Sequence, residues 1–311
     1  MSEIDDEVFS LHQEFDWLLQ EEVTVILEQL HDIVLECARR FPDSEELYGV
    51  ESLVKTEKFL LVNTSSTGGS TTDTIQAVVT LEGDNICYAD ISLKLHKHSI
   101  PSHRTIVQND CQWKLQQIQD AGKHLSKALQ VFASLPDINE KGKIDFHSAE
   151  EVIHVVNSLM GCLQRGRSAL LIPKKRTINE LQRSRNVKSL QPPLPPDLAI
   201  SFYVQSHKLV FAVYHILSKE GKGPPKFDVF QVESSVPWLS EVLVLFSVSL
   251  QLCQQLKNKI ALGSQHQLRA LRWNSHCGPS ANSMHQAFGT KCFLPDGVTI
   301  PCFFEKIGPV H

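Results

Sequence analysis

The sequence predicts an α+β protein: an elongated, two-domain molecule that pairs an antiparallel bundle of long helices with an antiparallel six-stranded β domain. Three observations lead there. Apolar residues recur at three- and four-residue steps in four long stretches, the pattern of amphipathic helices. In three runs from Phe59 the period drops to two, and three later runs are strand-like and rich in β-branched and aromatic residues. The order is one helix, three strands, two helices, three strands, one helix, so each part must be assembled from discontinuous segments. Hairpin-length loops inside each strand group favour antiparallel pairing.

The first helix is expected from Asp5 to about Arg40, stopped by Phe41 and Pro42. Leu11, Phe15, Leu18, Ile26, Leu30, Ile33 and Cys37 form its seam, with one break where Glu22 takes an apolar place. Spanning roughly 50 Å at about 1.5 Å per residue, it implies an elongated body. FLLVN from Phe59, TIQAVVTLE from Thr74 and ICYADISLKL from Ile86 then read as strands. The loop Thr64–Asp73 and the turn Glu82–Asn85 suit hairpin connections.

A second helix is expected from Asp110 as N-cap to Pro136, with Cys111, Leu115, Ile118, Leu125, Leu129 and Phe132 inward. Ser148 followed by Glu151 is a capping-box signature opening a third helix that ends near Leu171, before Pro173. Lys174 to Leu190 is polar and basic, with at most a short helix around Ile178 and Leu181. QPPLPPDL, from Gln191, is a stiff connector. AISFYV, HKLVFAVYHIL and KFDVFQVE supply three more strands. The domain boundaries that follow are 5–41, 108–172 and 235–261 for the bundle, and 57–98 and 197–234 for the β domain. A connector occupies 173–196, and an irregular, disordered tail 262–311.

The longest apolar stretch, Ser235 to Ile260, closes the bundle, with Ser234 or Ser235 as cap and Pro237 in the first turn. Leu239, Val242, Phe246, Ser249, Cys253, Leu256 and Ile260 make a seam, and Leu245, Val248 and Leu252 a second stripe, so partners are expected on two faces. Glu241 and several serines favour a buried helix over a membrane span. The heptad series through Leu239, Phe246, Cys253 and Ile260 does not hold leucine, so an intramolecular seam explains it better than a leucine zipper. Expected core residues are Phe15, Leu30, Trp113, Leu115, Ile118, Trp238, Leu239, Phe246 and Leu252.

Composition narrows function. Hydrophobic content of 42% and charged content of 21% exclude a disordered chain. A formal charge of -5 gives no general electrostatic reason to bind nucleic acid or anionic lipid. The acidic N-terminus lacks a signal pattern, neither end carries a lipidation signature, and no transmembrane segment is expected. Eight singly scattered cysteines read as reduced residues of a cytosolic protein.

Chemical motifs are sparse. Gly68 to Thr72 lacks the spacing and lysine of a phosphate loop, and a plain hairpin loop is favoured. His96 and His98, with His103 nearby, could face the same way at a strand end, but no cysteine or carboxylate matches, and a solvated strand end is favoured over a metal site. Lys174, Lys175 and Arg176, with Arg183, Arg185 and Lys188 downstream, could form a basic nuclear-import or nucleic-acid patch. No aromatic residues interleave for base stacking, and a solvated basic loop is favoured. His266, His276, Cys277, His285, Cys292, Cys302 and His311 lack zinc-clip spacing. No catalytic, cofactor or metal residues are assigned, and no enzyme is expected.

EFDWLLQEEV from Glu14, QWKLQQIQDA from Gln112, LPPDL from Leu194 and VPWLSEVLVLFSVSLQLCQQLKNKI from Val236 resemble the Rogdi family closely, in the family's order. The resemblance covers about 14–260, and the C-terminal tail departs from it. It implies a non-enzymatic adaptor, the animal counterpart of a small RAVE-complex subunit, with rabconnectin-type scaffolds and V-ATPase subunits as partners. It further implies a role in V-ATPase assembly and vesicle acidification, a neuronal and synaptic setting, and a cytoplasmic, vesicle-associated location. The alternative is a nuclear or nuclear-envelope regulatory protein using the basic segment 174–188.

Overall fold

In a computed structural model, the described residues are 9–10, 13–15, 17–42, 49–63, 73–96, 98–107, 113–136, 143–174, 176–218 and 226–276; the side chains of 20 and 266–276 lie outside that description. Two compact units divide the chain, Met1–Arg269 and Ala270–His311. The fold below is that of the first. It is α+β, with two antiparallel sheets of five and three strands. Helices and both sheets contribute to one contiguous core.

The first helix carries a π-helical turn, Leu18–Glu22, before α1 (Val23–Ala38). One extra residue per turn advances the register by one. The buried face therefore passes from Phe15 to Val23, Leu27, Leu30, Val34 and Cys37, not through Glu22, Ile26 and Ile33. The break at Glu22 marks this insertion, and its carboxylate meets Lys259 on the last helix. The expected start at Asp5 lies outside the described residues.

β1 (Thr56–Val62), β2 (Thr74–Glu82), β3 (Asn85–Lys94) and β4 (Ser102–Val107) form a meander, and β5 (Trp113–Lys114) also pairs with β3. Gly83 takes φ +56° in the β2–β3 turn, a left-handed conformation that suits glycine. Alternation places Phe59, Leu61, Ile75, Ala77, Val79, Ala89, Ile91 and Leu93 in the core. β4 and β5 are additions to the six expected strands. They correct the single six-stranded domain to two sheets holding eight strands among the described residues.

α2 (Gln116–Ala133) starts later than expected from an Asp110 cap. Trp113 belongs to β5, and Leu115 is the extended residue before the helix. α3 (Ala149–Leu171) opens at the predicted cap, where the Ser148 hydroxyl accepts the Glu151 N–H at 3.2 Å. The Glu151 carboxylate accepts the His147 N–H at 2.9 Å, in place of the Ser148 N–H that a capping box would use. The basic segment holds two short helices, α4 (Ile178–Arg183) and α5 (Arg185–Lys188), the first with a full capping box from Thr177 and Glu180. The proline-rich connector then lies along β4. Gln191 exchanges backbone hydrogen bonds with Ile106 at 2.9 and 3.2 Å, and Thr105 Oγ1 donates to the Pro192 carbonyl at 2.7 Å.

β6 (Leu198–Gln205), β7 (Lys208–Ser218) and β8 (Lys226–Ser235) form the second sheet. β8 lies beside β1 and β2. The outer edge of β6 meets the bundle through Gln117. Its Nε2 donates to the Ala169 and Val204 carbonyls at 3.0 and 2.6 Å, and its Oε1 accepts the Val204 N–H at 2.8 Å. Trp113 packs edge-on against Phe202, which stacks on Phe211.

α6 (Pro237–His276) follows directly. Because β8 runs to Ser235, the serines expected to cap this helix are strand residues. The helix passes Ile260 and continues to His276, correcting the tail boundary at 262; the disorder expected farther on falls on 277–311, outside the described residues. A Cβ at Gly263 would meet the Phe15 ring at 2.4 Å, so the glycine permits that close approach.

The four long helices run alternately up and down. α1 and α2 are antiparallel, since Phe41 lies at Gly122 and His31 at Phe132. Gln117 and Ala169 set the same relation for α2 and α3. α6 opposes α1 through Trp238 on Phe41 and Glu241 on Arg40. It opposes α3 through Phe246 at Gly166 and Lys257 at Asn157.

The α6 seam is buried from Leu239 to Ile260. The second stripe is not covered as expected: Val248 is 39% exposed and neighbouring Val244 58%. Leu245 and Leu252 are half-buried. One face, not two, carries the packing. Pro237–Gln265 is long and apolar enough to cross a membrane. In this fold its seam packs on protein, and Glu241 accepts from Arg40 Nε at 3.0 Å.

Arg40 also donates to the Glu36 carboxylate at 2.7 Å, and Arg39 donates to it at 3.0 Å. The Arg40 hydrogen bond, followed by the arginine charges, holds Glu36 below its ordinary value of 4.5 despite some desolvation. A lowered carboxylate contributes stability above its unfolded-state pKa and loses it as pH falls through the folded-state value. Glu36→Gln should therefore destabilise most near neutrality. Its deficit in urea unfolding should shrink as pH falls below about 4.5; a pH-independent deficit would contradict this. At Gly166 a Cβ would lie 2.8 Å from the Phe246 ring. Gly166→Ala should cost about 1–3 kcal/mol by overpacking, measured by urea unfolding.

Candidate functional site

The expected core residues are placed as follows. Phe15, Leu30, Trp113, Leu115, Ile118, Leu239 and Phe246 are buried, while Trp238 and Leu252 are partly buried against the core. Trp113 faces the three-stranded sheet through Phe202. Lys174 and Arg176 are exposed, and Lys175 lies outside the described residues. Lys174 pairs with Asp120, and both basic residues rim a cavity of about 330 Å³ with Lys114, Gln117, Tyr203 and Tyr214. The segment is docked on the fold, since Leu181 is buried and α4 packs on β6.

The densest set of chemically capable side chains lies elsewhere, where the two sheets meet the connector. His98 follows the end of β3 in a tight reversal in which its N–H donates to the Leu95 carbonyl at 3.2 Å. Asp197 immediately precedes β6, and its carbonyl accepts the Ile216 N–H at 2.8 Å. His215 on β7 stands opposite Leu198 and Asp228. These elements bring His98 Nε2 to 3.0 Å, and His215 Nε2 to 3.9 Å, from Asp197 Oδ2. The two imidazole rings meet edge to face at 5.3 Å.

His98 has 1% side-chain exposure. Its Nδ1 lies 2.9 Å from the Ile100 carbonyl and 3.0 Å from the Ile100 N–H, so the loop offers a partner to either tautomer. Its buried Nε2 lies 3.0 Å from Asp197 Oδ2, paired with that carboxylate by charge and not by a well-formed hydrogen bond. Burial disfavours the His98 imidazolium, but Asp197 and the Ile100 carbonyl outweigh it and raise the pKa. Burial likewise opposes the Asp197 carboxylate, and His98, the Asp197 N–H and His215 outweigh it and lower the pKa.

The solvated strand end expected for these histidines is corrected for His98. β3 ends at Lys94 and the chain turns, so strand alternation does not extend to His98. His96 is exposed against Asp73. His103 is half-buried on β4, with an Nε2 that lacks a hydrogen-bond partner and a pKa lowered by burial and by His98. Asp197 and His215 were missed. The available signal for His215 was its place on the inward face of a strand, after Leu209, Phe211 and Val213. The tail histidines and cysteines have side chains outside the described residues.

The buried thiols of Cys37 and Cys253 are pushed up to about 12 by desolvation, unsuited to nucleophilic work near neutrality. Cys162 is also buried and Cys87 half-buried, and all four are free.

Sequence comparison supplies the family. The family described as "Rogdi leucine zipper containing protein" matches residues 14–226, a span that includes all three members of the cluster. The chain belongs to the Rogdi family. It is 46% identical to protein rogdi of Drosophila melanogaster over 259 residues, covering 83% of this chain and 90% of the relative. The rogdi homologues of Danio rerio and Homo sapiens are 39% and 34% identical, each covering 82% of this chain and 93% of the relative. No catalytic family is indicated. The leucine-zipper description of the Rogdi family sits beside an intramolecular arrangement here, with the α6 seam packed on α1 and α3.

Removing Asp197 leaves His98 buried without its carboxylate. A double-mutant cycle of Asp197→Ala and His98→Gln should give a coupling of about 0.5–3 kcal/mol in urea unfolding. Strictly additive losses would mean that the two side chains do not interact.

Proposed function

We propose that this Rogdi-family chain is a non-catalytic adaptor acting in a RAVE/rabconnectin-type complex that promotes V-ATPase assembly and vesicle acidification, with a neuronal, synaptic role. Membership of the Rogdi family carries the reading. Surface chemistry supports it. Apolar side chains remain exposed at Val244 and Val248 on α6, Leu60 on β1, and Phe227 and Val229 on β8. Scattered exposed apolar residues are ordinary, but those grouped on one helix face or one strand suit docking of another protein. In this reading the bundle and the β part serve as two binding modules, and vesicle association comes through partners.

Native affinity purification of the tagged full-length chain tests the proposal. Rabconnectin-type scaffolds and V-ATPase subunits should be enriched over a tag-only control. A clean purification lacking both would overturn the reading. Salt-sensitive retention on DNA or RNA, with those partners absent, would favour the nuclear alternative through the basic segment.

A further inference from the structure

We propose that His98, Asp197 and His215 form a binding site for a borderline first-row dication, Zn²⁺ foremost, that cross-links the two sheets through the connector. This goes beyond the adaptor reading and does not rest on it. The three ligand atoms all lie within 4.8 Å of one another. A tetrahedral shell with metal–ligand bonds of about 2.0–2.1 Å would set its ligand atoms roughly 3.3 Å apart. The observed 3.0 and 3.9 Å separations from Asp197 Oδ2 bracket that value.

The second observation is the state of His98. Its side chain is almost wholly buried, and its Nε2 faces the cluster, paired with Asp197 by charge and not by a well-formed hydrogen bond. A buried nitrogen held only by a charge at 3.0 Å gains from a partner that takes its lone pair. On the other side of the ring, the Ile100 carbonyl is 2.9 Å from Nδ1. The Ile100 N–H lies 3.0 Å from the same Nδ1 and suits the other tautomer. Metal binding therefore selects the ring with its proton on Nδ1 toward the carbonyl and Nε2 as the lone-pair donor, the usual arrangement of a metal-bound histidine.

Donor chemistry narrows the ion. Two imidazoles and one carboxylate suit Zn²⁺ or its first-row neighbours, whereas Ca²⁺ and Mg²⁺ take shells of oxygen ligands. Asp197 supplies one negative charge and is 38% exposed, which gives the ion a route from solvent. Three protein ligands leave a fourth position for water or a group from another molecule. The ligands come from the β3–β4 loop, the connector and β7. Binding would therefore favour the state in which the five-stranded and three-stranded sheets are joined.

The test uses the full-length chain, stripped with EDTA and exchanged into metal-free buffer. Zn²⁺ is titrated by calorimetry and Co²⁺ by visible absorption, which separates nitrogen–oxygen ligation from thiolate ligation. The chain has 14 histidines and 8 cysteines, so variants must assign the site. His98→Gln and His215→Gln should each weaken one nitrogen–oxygen site at least tenfold. Saturating Zn²⁺ should raise the wild-type thermal midpoint, and excess EDTA should reverse the rise. Asp197→Asn, shown to be folded by circular dichroism, should lose that rise. Wild-type affinity retained in the folded histidine variants, or a wild-type midpoint unmoved by Zn²⁺, would overturn the proposal and leave an ion-paired clamp alone.

Discussion

One buried amide governs how the helices meet the three-stranded sheet. Gln117, in the first turn of α2, inserts its side chain between the end of α3 and the free edge of β6. Val204 would otherwise bury an unmatched N–H and C=O, and Ala169 an unmatched helix-terminal carbonyl. A buried backbone group without a partner costs about 1–3 kcal/mol, so one side chain serving three such groups fixes this corner. The geometry is demanding. An amide can donate two hydrogen bonds and accept in the same plane, and a carboxylate of equal size cannot donate. Around it, Trp113 packs on Phe202, and the Ser206 N–H donates to the Leu170 carbonyl at 2.9 Å. Bundle and sheet thus meet in mixed polar and aromatic contact, not through a greasy patch alone.

Much of this architecture was legible in the pattern of apolar residues. Alternation located the cores of β2 and β3, and β-branched and aromatic richness located β6 and β7, where consecutive residues such as Leu209 to Val213 are buried. Helical periodicity located α1, α2, α3 and α6, and Ser148 marked a helix start by its own hydrogen bond. The errors have physical causes. β4 is short and half polar, SHRTIV, and β5 has only two residues, so neither sustains a period. Cys111 and Leu115 looked helical because their four-residue step ran on to Ile118 three residues later. At Glu22 the seam broke for a reason that composition could not supply, namely a π turn.

The His98 cluster was illegible for a different reason. Its members come from a chain reversal, a proline-rich connector and the inward face of a strand, with no fixed spacing among them. Only the pairing of β7 with β6 and the placement of the connector bring them together. Likewise, α6 advertised two apolar stripes, but periodicity does not say which stripe a neighbouring helix will cover. The fold buries the seam through Phe246 and Cys253 and leaves Val244 and Val248 facing outward.

The connector along β4 has one more consequence. An outer strand presents a row of unpaired backbone groups that can recruit another chain. Here Gln191 occupies one such position on β4, but the prolines that follow it have no N–H to continue a ladder. The segment therefore covers part of the edge while being a poor template for further strand growth. A sequence that reads as a mere spacer thus also occupies a strand edge.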